Sequence, residues 1–103
     1  PGVLASDIYR ETVLKEDGEF LQNFMGLGED AVRFLVHGVG AYIDEYPVLA
    51  EGFVVPLQKN MVLALEPKES LPGIGIVGVE DTYIVTENGG ECITGGEKDI
   101  MVV

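Results

Sequence analysis

His37 is the only histidine of the sequence, and it opens the stretch His37-Gly38-Val39-Gly40-Ala41-Tyr42-Ile43-Asp44-Glu45-Tyr46-Pro47. Two glycines follow the imidazole, and the adjacent carboxylates of Asp44 and Glu45 follow the glycines. Downstream, Glu66 closes the apolar run Met61-Val62-Leu63-Ala64-Leu65, and Glu80 lies within Ile76 to Thr86. An ionised carboxylate in an apolar strand is costly unless something compensates it. Imidazole nitrogen and carboxylate oxygen are ligands for divalent cations, and a cation would satisfy all three groups at once. His37, Glu66 and Glu80 are therefore read as part of a metal site whose remaining ligands lie outside this chain.

Each residue also has a plainer reading. A lone histidine among apolar neighbours is commonly a hydrogen-bonded core residue, and Glu66 can point to solvent from a strand end. Alternation over 76–86 puts Ile76, Gly78, Glu80, Thr82 and Ile84 on one face and Val77, Val79, Asp81, Tyr83 and Val85 on the other. One of Glu80 and Asp81 is thus expected inside. Lys59, Lys68 and Lys98 fall in loop-like stretches and are not expected to compensate these carboxylates. Glu16, Asp17, Glu29 and Asp30 read as a solvated face, and Cys92 as a small buried hydrophobe.

The elements that must position these groups follow from pattern and punctuation. Ile8 to about Lys15 is an expected amphipathic helix with Ser6 as a candidate cap, ended by Asp17-Gly18. Glu19 to Met25 forms a short second helix, and Gly26 and Gly28 break the chain. Val32 to Val36 reads as a strand delivering His37, resumed at Ala41 to Ile43. Asp44 to Pro56 reads as a loop. Met61 to Leu65 is a strand buried on both faces, stopped by Pro67. Leu71 to Gly75 is a turn and Ile76 to Thr86 one long strand. Glu87-Asn88-Gly89-Gly90 is a hairpin turn, Glu91 to Thr94 its return strand, and Asp99 to Val103 a last strand. The class is α+β, an N-terminal helix with a mostly antiparallel sheet.

Composition limits the partners. Six basic against eighteen acidic residues, a net charge of -12, oppose binding to nucleic acid or an anionic membrane, which needs clustered Lys and Arg. No apolar run approaches the ~20 residues of a spanning helix. The single cysteine permits no internal disulfide, which suits a cytoplasmic location. The 103 residues fit one domain. The start at Pro1 rather than Met is read as the mark of a processed or cut polypeptide.

With these residues in view, the chain resembles the C-terminal part of the metallopeptidase family with the pita-bread fold: methionine aminopeptidase, aminopeptidase P, Xaa-Pro dipeptidase and creatinase. His37-Gly38-Val39-Gly40 is similar to the family's His-Gly-x-Gly element, and Asp44-Glu45-Tyr46-Pro47 stands where the family has His-Glu-x-Pro. Asn60-Met61 through Glu66-Pro67 resembles its Gly-Met to Glu-Pro strand. Gly78-Val79-Glu80-Asp81-Thr82 resembles its Glu-Asp-Thr strand, with Val85-Thr86-Glu87-Asn88-Gly89 and Ile93-Thr94 after it. The Xaa-Pro dipeptidase-like proteins of prokaryotes are the subgroup most alike.

The resemblance implies a fold, a metal site and a reaction. Residues 1–103 would be a single partial domain, the C-terminal half of a pita-bread catalytic domain with a curved sheet. The family binds two divalent metals (Mn, Co, Fe or Zn) with two Asp, one His and two Glu, and hydrolyses peptides or dipeptides with a metal-activated water. His37 and Glu66 would be metal ligands, Glu66 also taking the water's proton, and Glu80 would bridge both ions. Asp44 would occupy the catalytic position of the family's second histidine, which contacts substrate. The two Asp ligands lie upstream of this region in the family, so with three of five ligands the chain is expected to bind metal weakly and not to hydrolyse peptides. A carboxylate at Asp44 does not make the hydrogen bond a histidine donates there. This leaves a non-catalytic binding module as the alternative, and a small acidic structural domain as a third reading. Exposed sheet edges imply self-association, as a homo-oligomer or otherwise.

Overall fold

A computed structural model describes residues 1–26, 34–96 and 102. The break expected at Gly28, the acids Glu29 and Asp30, the strand start at Val32, Lys98 and all but Val102 of the expected last strand lie outside the described residues.

Two short helices come first. Helix α1 spans Ala5–Val13. Ser6 is not its cap, contrary to the sequence expectation. Ser6 is buried in the first turn, and the N-cap is Leu4, whose side chain makes no capping bond. The free N–H groups of Ala5 and Ser6 instead donate to the carbonyls of Val55 and Phe53 at 3.0 and 3.1 Å, so a distant loop satisfies the helix end. Asp17 does not end α1 either. It caps the next helix, α2 (Gly18–Asn23), its carboxylate accepting the Phe20 N–H at 2.8 Å.

Among the described residues seven strands follow: β1 (Phe34–Gly38), β2 (Glu45–Ala50), β3 (Val62–Leu65), β4 (Lys68–Leu71), β5 (Gly75–Gly78), β6 (Asp81–Thr86) and β7 (Gly89–Cys92). Five form a sheet in the order β2-β1-β3-β6-β7, and β4 and β5 pair as a separate ribbon. Every pairing is antiparallel. The class is α+β, as expected. The apolar run at Met61–Leu65 becomes β3, third of the five strands, with Leu63 and Ala64 buried.

Five sequence expectations need correction here. Asp44 to Pro56 is not all loop, because β2 runs through it, while Ala41 to Ile43 is an exposed bend rather than strand. Pro47 had suggested a loop, but β2 lies at the sheet edge, where a missing N–H is tolerated. The register also slips between His37↔Val48 and Gly38↔Glu45, so Tyr46 and Pro47 are absorbed in a bulge. The long strand over 76–86 is broken at 79–80 into β5 and β6, because Val79 N–H turns to the Pro67 carbonyl (3.2 Å) and leaves the ribbon. The return strand stops at Cys92. Thr94 instead folds back, its hydroxyl accepting the Thr82 N–H at 2.7 Å and lying 3.2 Å from Asp81 Oδ1. Cys92 is exposed, not buried, because β7 is the outermost strand on that side among the described residues.

The core contains Ala5, Met25, Leu35, Val36, Leu49, Leu57, Leu63 and Val85. Ile8 of α1 lines a cavity of about 310 Å³ with Val36, Leu49, Leu63, Leu65 and Val85, which marks the sheet face covered by α1. The alternate residues of β1 and β3, His37 and Ala64 among them, therefore face the opposite side.

Candidate metal centre

Register brings the predicted ligands together. His37 pairs with Ala64 across β1 and β3, and Ala64 pairs with Thr82 across β3 and β6. The three form one row across the face away from α1. Glu66 lies two positions beyond Ala64, and Glu80 two positions before Thr82. In antiparallel strands those steps run the same way, so both carboxylates reach the same next row. His37, Glu66 and Glu80 each offer one ligand atom, and these lie within 4.8 Å of one another. Ala64, 1% exposed, contributes only a methyl group beneath them.

The triad is graded from buried to open. His37 is 5% exposed, Glu66 half-buried and Glu80 exposed. The sequence left open which of Glu80 and Asp81 is interior, and Asp81 is the buried one. Glu80 stands at the rim, where the chain passes from β5 to β6.

The imidazole has partners on both sides. Nδ1 is 3.1 Å from the Gly38 carbonyl oxygen and 3.3 Å from Asp44 Oδ1, while Nε2 is 3.6 Å from Glu66 Oε2. Asp44 thus reaches the site, though its side chain is 71% exposed. Lys68 Nζ donates to Glu66 Oε1 at 3.3 Å, which corrects the expectation that no lysine compensates these acids. The sequence signal for this contact was period-two spacing: positions 66 and 68 share a face once the chain past Pro67 is extended.

Gly38 has a steric reason. A Cβ there would stand 2.5 Å from the Tyr46 carbonyl oxygen and 2.8 Å from that of Glu45, so β2 presses directly on the backbone beside His37. Two pockets meet at the histidine. One, of about 350 Å³, is lined by His37, Asp44, Glu66, Glu80 and Thr82 with Val39 and Ile43. The other, of about 480 Å³, shares His37 and Asp44 and adds Phe34, Glu45, Tyr46 and Val48.

The donor set fits a divalent cation. One nitrogen and two carboxylates suit first-row metals, and two ligands on one ion lie at most about 4.3 Å apart, so small side-chain movements close the triad.

Comparison with known proteins agrees with this architecture. The chain belongs to metallopeptidase family M24, whose model matches residues 1–87. It is 36% identical over 76 residues to the Xaa-Pro dipeptidase of Pyrococcus furiosus, covering 74% of this chain and 22% of that relative. It is 35% identical over 78 residues to the putative dipeptidase YkvY of Bacillus subtilis, covering 76% of this chain and 22% of that relative. Among solved structures, the dipeptidase PepE from Mycobacterium ulcerans superposes with a TM-score of 0.79 at 28% identity, over 100% of this chain and 26% of that one. The dipeptidase from Pyrococcus horikoshii OT3 superposes with a TM-score of 0.77 at 27% identity, over 99% of this chain and 27% of that one. The α+β arrangement thus corresponds to part of the pita-bread fold, and the chain spans roughly a fifth to a quarter of the length of these relatives.

Proposed function

We propose that residues 1–103 form part of the catalytic domain of a metal-dependent exopeptidase of the Xaa-Pro dipeptidase or aminopeptidase type. The observation that carries this reading is the convergence of His37, Glu66 and Glu80 within 4.8 Å on one sheet face. His37, Glu66 and Glu80 would hold divalent cations, Mn, Co, Fe or Zn. Such a pair supplies Lewis acidity and a water of lowered pKa, an arrangement known from aminopeptidases and phosphatases.

The chain's own groups divide the remaining work. Glu66 has one oxygen engaged by Lys68 and the other facing His37; besides holding a cation it would take a proton from the attacking water. Glu80 closes the open side of the triad. Asp44 lines both pockets, where it would contact a peptide or dipeptide substrate. With three of the five ligands the family uses, the 103 residues alone bind metal weakly and hydrolyse nothing. The exposed apolar side chains of Ile74, Ile76, Val77 and Val79 at the β4–β5 ribbon favour self-association. A single cysteine fits a cytoplasmic setting. Asp44 in place of the family's histidine favours the second reading, a non-catalytic module that keeps the fold.

The test is thermal unfolding with and without Mn²⁺, for the wild-type chain and Glu80→Gln. Cation at a hundred times Kd adds about 2.7 kcal/mol, which raises the Tm of a domain this size by roughly 10–20 °C. Glu80→Gln should lose most of that rise. No rise with Mn, Co, Fe or Zn, or an equal rise in the variant, would overturn the assignment. If the chain instead reads as a metal-independent acidic domain, Glu80→Gln should be the more stable protein. Light scattering that finds only monomer at high concentration would sink the self-association claim.

A further inference from the structure

The tautomer of His37 carries an inference beyond the ligand set. A neutral imidazole holds one proton, on either Nδ1 or Nε2. Nδ1 faces two oxygens that can only accept, the Gly38 carbonyl at 3.1 Å and the Asp44 carboxylate at 3.3 Å. Nε2 faces Glu66 Oε2 at 3.6 Å, too long for a good hydrogen bond. A lone pair on Nδ1 would oppose both oxygens, whereas a proton there is donated to the Gly38 carbonyl and has the Asp44 carboxylate beside it as a charge contact.

Asp44 does not reach this position by chance of rotamer alone. Glu45 pairs with Gly38 at the start of β2, so Asp44 is the last residue of the bend that enters the strand beside β1, and from there its Oδ1 lies 3.3 Å from Nδ1. The intervening bend is tied by Gly40 N–H to the Tyr42 carbonyl at 3.3 Å and by Tyr42 N–H to Glu45 Oε2 at 3.2 Å.

We propose that Asp44 is a positioning residue for His37: with the Gly38 carbonyl it holds the imidazole proton on Nδ1 and turns the Nε2 lone pair toward Glu66. Partners at the far nitrogen of a ligating histidine orient the ring and raise its basicity; here the Gly38 carbonyl is the acceptor and the Asp44 charge adds to it. The consequence for cation affinity rests on the metal-site reading above, but the tautomer itself needs no cation.

Two measurements separate these claims. His37 is the only histidine, so the imidazole ¹⁵N signals of the labelled chain need no assignment. They are recorded metal-free at alkaline pH for the wild type, Asp44→Ala and Asp44→Asn. The wild type should show a protonated Nδ1 and an unprotonated Nε2. Asp44→Ala should move both signals toward the average of the two tautomers, and Asp44→Asn, which keeps an acceptor oxygen, should move them less. By calorimetry, Asp44→Ala should weaken Mn²⁺ binding about tenfold, the low end for such partners because Asp44 is largely exposed. Unchanged imidazole signals in both variants would overturn the positioning role, whatever the metal does. Shifted signals in a chain that binds no Mn²⁺ would uphold it and overturn the metal-site reading instead.

Discussion

Replacing Gly38 with alanine tests the idea that β2 is clamped against the histidine strand. The added Cβ would sit 2.5 Å from Tyr46 O, 2.7 Å from Tyr46 C and 2.8 Å from Glu45 O. All three are backbone atoms, so no side chain can swing aside. Ordinary contact requires about 3.5 Å, so the bulged part of β2 must retreat by nearly an ångström. Overpacking of this kind costs about 1–3 kcal/mol, and we place this case near 2 kcal/mol because β2 is an edge strand and has somewhere to go. Equilibrium urea unfolding would read the loss as a lower midpoint at constant slope. In thermal unfolding it corresponds to a drop of roughly 8–16 °C. The same retreat carries Asp44 away from His37, so the metal-free imidazole signals should shift as they do in Asp44→Ala. A loss below about 0.5 kcal/mol, within the range of an ordinary surface change, would refute the reasoning. It would mean that β2 does not press on Gly38 and that its register is not what presents Asp44.

Three further outcomes are expected. Lys68→Gln removes the cation 3.3 Å from Glu66. It should tighten Mn²⁺ binding a few-fold by calorimetry, since a partly buried like charge no longer competes for the carboxylate, and weaker binding would contradict this. Asp17→Ala deletes the only side-chain cap of α2 and should cost about 1 kcal/mol, seen as a lower Tm with Mn²⁺ binding unchanged. The Tm rise caused by Mn²⁺ should shrink between about pH 7.5 and about pH 5.5, because protons compete with the cation for imidazole and carboxylates. A rise that is the same at both values would argue against His37 and the glutamates as ligands.

Much of the site was legible because its residues break local rules. A histidine beside two glycines and the glutamate that closes an apolar run each demand compensation that a strand does not supply, whereas Glu80 is exposed and the burial cost falls on Asp81. The alternation of 76–86 even placed Glu80 and Thr82 on a common face, and that parity survives the break between β5 and β6. Lys68 was missed because its contact with Glu66 needs the chain past Pro67 to be extended, and a proline-bounded stretch reads as loop. Ser6 misled because its hydroxyl matches a cap, whereas the α1 terminus is satisfied by carbonyls of Phe53 and Val55 far along the chain. Pro47 misled because a proline argues against a strand unless that strand is at an edge, and edges are a property of the whole sheet.

The sequence by itself determined the α+β class, a strand within Met61–Leu65, a hairpin after Thr86 (its turn only 87–88, since Gly89 and Gly90 already belong to β7) and the residue types of the candidate triad. These follow from period, turn chemistry and the cost of burying charge, all of which are local. Tertiary structure decided the antiparallel register that sets His37, Ala64 and Thr82 in a row and so brings Glu66 and Glu80 to the histidine. It also decided that Asp81 is buried while Glu80 stays at the rim, and that the bend leading into β2 brings Asp44 to Nδ1. Those outcomes depend on which strands are neighbours, and strand neighbours are chosen by packing between segments far apart in the chain.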